Sequence, residues 1–180
     1  VIFKMMDKYF GVKFSYINAK TWGNSVVVFN VLDSKNSKLL GRLFIDIVYN
    51  EHKKVDSPFF IKLTDRYNLE GDTDVVNMCI LGNFRSLNDE CMNYNEVVLL
   101  FRECGHLLQH TVYRSNMGLI NYDKSFSNFL PQIMEYIAWE SETISQIACK
   151  HNKDIVDHIL YGRNIDICYS IKSRCIYASI

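Results

Sequence analysis

Glu103 and His106 are the residues of this 180-residue chain whose types and spacing could do chemistry. They lie in "RECGH", residues 102–106, inside the longer stretch "EVVLLFRECGHLLQH". With histidine in place of Arg102 the five letters would read H-E-x-x-H. In that pattern two imidazoles one helical turn apart share a zinc ion, and the glutamate takes a proton from metal-bound water. Glu103 keeps the place of the base and His106 that of the second ligand. Arg102 stands at the first, and a guanidinium has no lone pair free for a metal and stays protonated at physiological pH. Taken alone, E-x-x-H on an amphipathic helix is a weak signal that also arises by chance.

The neighbouring groups offer alternatives. Glu103, His106 and His110 are spaced i, i+3 and i+7, so all three share one helix face and would suit a metal in another geometry. The simpler reading, which we prefer, makes His110 a solvated or half-buried surface residue. Cys104 belongs to the apolar stripe of the same helix and reads as core, not as thiolate ligand or nucleophile. Glu135 and Glu140 are further oxygen donors on a later helix, read as scaffold. A site that loses a dication but keeps carboxylates is left with unbalanced charge, so Arg102 is expected to pair with Glu103 and Glu135.

The elements that position these residues read as α+β, with the sheet first and the helices after. Residues 1–20 are assigned to a helical segment, in which Ile2, Met5, Met6 and Tyr9 recur at helical spacing and Gly11 is a C-cap. Residues 21–83 are assigned to a small antiparallel sheet of about four strands: "SVVVFNVLD", "LLGRLFIDIVY", "SPFFIKL" and "VVNMCIL". "DSKNSK" forms the first hairpin turn. Residues 93–180 are helical. Asn93 or Asn95 caps a helix whose apolar side carries Val97, Leu100, Phe101, Cys104, Leu108 and Thr111. Pro131 suits the first turn of the next helix, which runs through "QIMEYIAWE" to a break at Ser141 or Glu142. Asp154 is expected to cap a short helix ended by Gly162, before a last helix with Ile165, Cys168, Ile171, Cys175 and Ala178 in line.

Composition narrows the function. Residues 1–180 are read as a single domain, since 48% of them are hydrophobic and no repeat or linker interrupts them. Twenty basic and 20 acidic residues give no net charge and no clustered patch, so neither nucleic acid nor an anionic membrane is an expected partner. The six cysteines form no C-x-x-C pair, which favours a reduced, intracellular and cytoplasmic protein. No apolar run approaches the roughly 18 residues that a membrane span needs. The chain opens at Val1 and stops in the apolar "CIYASI", so either it is a fragment or its last helix, with Ile176, Tyr177 and Ile180, is covered by a partner.

The flanking motifs, in order, are more specific than RECGH. "MMDKYFGVKF" is followed by "W…VFNVLDSKNSKLLGRLFIDIV", then "CILGNF", then "NEVVLLFRECGHLLQH" and finally "LPQIMEYIAWE". Together they resemble the thimet oligopeptidase family of zinc metallopeptidases, which includes neurolysin and mitochondrial intermediate peptidase. The resemblance runs along nearly the whole chain, and Gly105 between base and ligand is part of it. It implies a mainly helical, zincin-like catalytic domain, with a small sheet whose edge strand pairs with an extended peptide. By that analogy "NMCILGN" is the edge strand, and Asn77, Cys79 and Leu81 are its peptide-binding residues.

Carried over residue by residue, the resemblance makes Glu103 a vestigial base and His106 a vestigial ligand, with Arg102 at a lost ligand position. The family's third ligand is a glutamate before the Pro-bearing helix. Counting from His106 puts Asn128 there, and anchoring on Pro131 puts Phe129 there; neither is a carboxylate. The family's later loop, bearing His and Tyr, has no counterpart before Ile180. One imidazole does not hold zinc, and without metal-acidified water Glu103 has nothing to activate. The expected function is therefore a pseudoenzyme that binds a protein or peptide partner and needs no cofactor, with a partner surface at the C-terminal helix. The alternative is a working zinc oligopeptidase, with an unusual site or completed by a second chain.

Overall fold

The computed structural model describes residues 1–55, 57–64, 75–84, 92–112, 124–147 and 153–178. Within them lie two compact units, Ile2–Tyr136 and Ile137–Ile180. The expected class holds: helices and a sheet, α+β.

In the first unit α1 (Ile2–Phe10) buries Met5 and Met6. It stops where Gly11 takes a left-handed conformation, φ 66°, with the Gly11 N–H donating to the Asp7 carbonyl. Tyr9, expected on the apolar side, is exposed. The helical assignment of residues 1–20 is too long, because β1 (Val12–Ile17) follows at once and pairs with β2 (Val27–Asp33) from Val12↔Asp33 to Ile17↔Val28. The β-branched and aromatic residues of "VKFSYI" suit a pleated surface. Phe14 stacks on Phe3 of α1 with ring centroids 4.1 Å apart.

β3 (Leu39–Val48) returns antiparallel to β2 through the expected turn, in which Asp33 N–H donates to the Lys38 carbonyl. The remaining strands correct the expected topology. β4 (Phe59–Lys62) and β5 (Val76–Phe84) form an antiparallel pair, but β5 also runs parallel to β3. Among the described residues the sheet is thus five-stranded and mixed, in the order β1-β2-β3-β5-β4. β5 is an inner strand, so Asn77, Cys79 and Leu81 do not lie on the sheet's edge; β4 does. Met78, Cys79 and Ile80 are successive and all buried, so β5 is apolar on both faces, the pattern of a strand inside a sheet covered on both.

The tryptophan and aspartate of the sheet motifs meet in one polar cluster. Trp22 Nε1 donates to Asp46 Oδ2 at 2.9 Å. Lys53 Nζ bonds Asp46 Oδ1 and the carbonyl of Val48, the latter at 2.8 Å, and reaches the Gly82 carbonyl at 3.3 Å. An ammonium drawn partly out of water, as this one is, needs its donors matched in this way. Cys79 lies in the field of this pair; burial first, then the Asp46 charge, pushes its thiol up to about 12.

α2 (Tyr94–Val112) packs on β4 and β5. Its cap is Asn93: the Asn93 side chain accepts the Asn95 N–H, and Glu96 reaches back to the Asn93 N–H, a reciprocal box. Val97, Phe101, Cys104, Leu108 and Thr111 are buried as expected, with Val98 and Leu107 beside them. After α3 (Lys124–Ser127) comes α4 (Phe129–Ala138), which starts two residues before Pro131.

The second unit holds α5 (Ser141–Ile147) and α6 (Lys153–Ala178), with Ile144 and Val156 buried in it. The break before α5 falls at Trp139 and Glu140, earlier than the expected Ser141 or Glu142, which both lie inside α5; the Glu140 carbonyl accepts the Ile144 N–H and so starts that helix. Gly162 does not end a helix. α6 runs through it, since a lone helical glycine costs only about 1 kcal/mol relative to alanine. Tyr161, Ile165, Tyr169, Ile171 and Ile176 of α6 are exposed. Among the described residues no helix is long and apolar enough to cross a membrane, and the described free cysteines are Cys79, Cys104, Cys168 and Cys175.

Candidate functional site

The site is built on α2, and its geometry depends on how closely α4 approaches. Gly105 makes that approach: a Cβ there would sit 2.4 Å from the Cα of Pro131 and 2.7 Å from the Leu130 carbonyl oxygen. Glycine is needed at this position because only a bare Cα lets the two backbones meet. The sequence marks Gly105 as telling, and the contact with Pro131 supplies the physical reason.

On the side of α2 nearest α4, Arg102 Nη1 donates to Glu135 Oε2 at 3.0 Å. Both side chains are about one-third exposed, 35% and 38%, so the pair is partly screened by water. The charge compensation expected of Arg102 is present, with Glu135 as its partner.

Glu103 belongs to a different contact. Its carboxylate accepts the main-chain N–H of Phe60, on β4, at 2.7 Å. The residue is only 7% exposed, although its place in the helix pattern put it on the polar side. Burial raises its pKa above the usual carboxylate range, and the Phe60 hydrogen bond and the Arg102 charge work against that rise. Phe60 also covers the histidines: its ring stacks on His110 at 5.1 Å and 9°, and on His106 at 6.2 Å and 22°. His106 is held neutral further into acid than a free imidazole, by burial first and then by the Arg102 charge. His110, half-buried, stacks on Phe60, in keeping with the structural reading preferred for it. Phe60 is the site residue that the sequence leaves unmarked, and only the crossing of β4 to the sheet edge brings it here.

Asn128 stands in the turn between α3 and α4, and its carbonyl accepts the Gln132 N–H, which starts α4. Phe129 stacks on Phe126 with centroids 6.0 Å apart. Cys104 is fully buried, and burial with the Glu103 charge pushes its thiol up to about 12, the behaviour of a core residue.

Comparison with known proteins gives the family of the chain. The sequence pattern of peptidase family M3 matches residues 2–160. The chain belongs to peptidase family M3. This M3 chain is 25% identical over 178 residues to a probable thimet oligopeptidase of Arabidopsis thaliana, an alignment covering 95% of the chain and 24% of that protein. It is also 25% identical over 155 residues to oligopeptidase A of Haemophilus influenzae, with 82% of the chain and 23% of that protein covered. The chain therefore spans about a quarter of the length of these curated relatives.

Membership of this metallopeptidase family implies zinc, and the residues at hand do not fit it. Arg102 carries a guanidinium, which cannot ligate a metal, and it is bonded to Glu135. Glu103 is engaged with the main chain of Phe60, and the His106 ring stacks on Phe60. Among the described residues no group of three or more His, Cys, Asp or Glu is placed to hold a metal ion. No reaction step through a metal follows from this donor set.

Proposed function

We propose that this chain is an M3-derived pseudoenzyme, a protein- or peptide-binding module that does not hydrolyse peptides. The Arg102–Glu135 pair carries the reading. A fixed cation stands at the first ligand position and satisfies a carboxylate that would otherwise be left unbalanced, so the site is electrostatically complete without a dication. Glu103, held to a backbone N–H, has no acidified water to deprotonate. The fold around the site is intact, from the Asn93 cap to the Gly105–Pro131 contact, which supports a chain kept for its surface and not for its chemistry. The apolar side chains exposed along α6 are the surface we assign to a protein partner.

Metal analysis of the purified protein, with a peptide-hydrolysis assay, tests the reading. Substoichiometric zinc and no hydrolysis, with or without added zinc, are expected. Near-stoichiometric zinc, removed by a chelator together with peptide hydrolysis, would overturn the proposal in favour of a working zinc oligopeptidase.

A further inference from the structure

We propose that Glu103 locks the outer edge of the sheet, holding β4 to α2 and closing it to another strand. Among the described residues β4 pairs with β5 on one side only, with Phe60 opposite Ile80. The Phe60 N–H points the other way and would be an unpaired donor on an edge strand, the kind of group that templates strand addition. It is instead taken by the Glu103 carboxyl group at 2.7 Å, a hydrogen bond that is stronger than a neutral one when that group is ionised. The same residue's ring lies on His106 and His110, so α2 holds both the main chain and the side chain of Phe60.

Each component has a reason to be where it is. β4 is only four residues long, continued by the Leu63 and Thr64 N–H groups that donate to the Asn77 carbonyl, and the Glu103 bond adds a hold on its other side. Glu103, nearly buried, needs a donor for its oxygens, and the edge N–H is one that the sheet itself leaves over. Glu103 is thus a positioning residue for β4. The lock holds independently of whether the chain hydrolyses peptides, since it requires only that Glu103 and Phe60 meet in the resting fold.

Residue-resolved amide hydrogen exchange on the full chain tests it. In the unaltered protein the Phe60 amide is protected. Glu103→Ala is expected to speed its exchange about ten- to a hundredfold, the ratio set by losing a hydrogen bond to a charged group, while Ile80 in β5 keeps its rate. Glu103→Gln, whose side-chain oxygen still accepts, is expected to retain most of the protection. Glu103→Ala should also self-associate more strongly with concentration than the unaltered chain does. Unchanged Phe60 protection in Glu103→Ala overturns the proposal, as does equal loss in both variants. If Glu103→Ala fails to fold, the unaltered chain decides: a Phe60 amide exchanging as fast as an open edge amide overturns the proposal, and a slow one supports it.

Discussion

Arg102 Nη1 on α2 and Glu135 Oε2 on α4 lie 3.0 Å apart, so the residue that precedes Glu103 in "RECGH" is a cation with its own counter-ion. Because both side chains are about one-third exposed, the pair stabilises the fold only modestly. Arg102→Ala and Glu135→Ala should each cost about 1 kcal/mol or less, with a double-mutant coupling of similar size, read from denaturant unfolding. Arg102→His recreates H-E-x-x-H in sequence, yet it should not yield tight zinc binding by calorimetry. Glu103 remains tied to Phe60, and no third ligand converges among the described residues. Stoichiometric zinc in that single variant would show that the Arg102 pairing alone excludes the metal.

The Arg102 pairing was legible because it follows from charge balance between two residue types whose helices could be read from periodicity. The Asn93 cap, the α2 stripe and the Gly11 stop were legible for a similar reason: each is decided within a turn or two of helix. The order of β4 and β5 was not. Pairing of β3 with β5 depends on where the segment between them crosses, and nothing local in "SPFFIKL" or "VVNMCIL" records that. The Phe60–Glu103 contact, 43 residues apart in sequence, inherits this uncertainty. β1 was missed because a short alternating strand directly after a helix leaves only six residues of signal.

The titration of the site should appear in stability against pH with two opposite limbs. Glu103 has a raised pKa in the fold, so its contribution is full below the ordinary carboxylate range and is lost as pH rises through the folded value. His106 has a lowered pKa, so its contribution is present above the ordinary imidazole range and is lost as pH falls through it. Glu103→Gln should remove the first limb, leaving stability that no longer declines as pH rises from the carboxylate range, while the acid-side decline persists. Urea titrations across that interval measure both. An unchanged profile in Glu103→Gln would assign the first limb to other groups.

Thiol reactivity should divide by burial. Cys79 and Cys104, both pushed up to about 12, should resist alkylation in the native protein at mildly alkaline pH, whereas the exposed Cys168 and Cys175 should label first. Peptide mapping by mass spectrometry after a short iodoacetamide pulse distinguishes them. Early labelling of Cys104 would mean that α2 does not pack in solution as it does here.

The polar cluster under the sheet should be costly to break from one side. Among the described residues, Lys53→Met leaves the buried Asp46 carboxylate with the Trp22 N–H as its donor; removing one member of a fully buried pair typically costs about 3–5 kcal/mol, and somewhat less is expected for this part-buried one. Lys53→Met combined with Asp46→Leu should recover part of that loss, since the uncompensated charge is gone, although the Trp22 bond is gone too. Unfolding free energies of the two variants decide. A double variant no more stable than Lys53→Met would mean that the main-chain contacts of Lys53, to Val48 and Gly82, matter more than its pairing with Asp46.

Gly105→Ala sets two effects of opposite sign against each other. Alanine is the better helix former by about 1 kcal/mol, so on an exposed helix the change would stabilise. At this position the new methyl would fall 2.4 Å from the Pro131 Cα and 2.6 Å from its nitrogen, and backbone cannot swing aside as a flexible side chain does. Forcing a methyl group into a packed contact typically costs about 1–3 kcal/mol and more where backbone must move, so a net loss is expected, with α4 displaced from α2. That displacement should also weaken the Arg102–Glu135 pair, whose two residues ride on the same helices. Adding Glu135→Ala to Gly105→Ala should then cost less than Glu135→Ala costs by itself, a coupling that chemical denaturation resolves. Additive losses would mean that the ion pair survives the displacement and that the Gly105–Pro131 contact does not set its geometry.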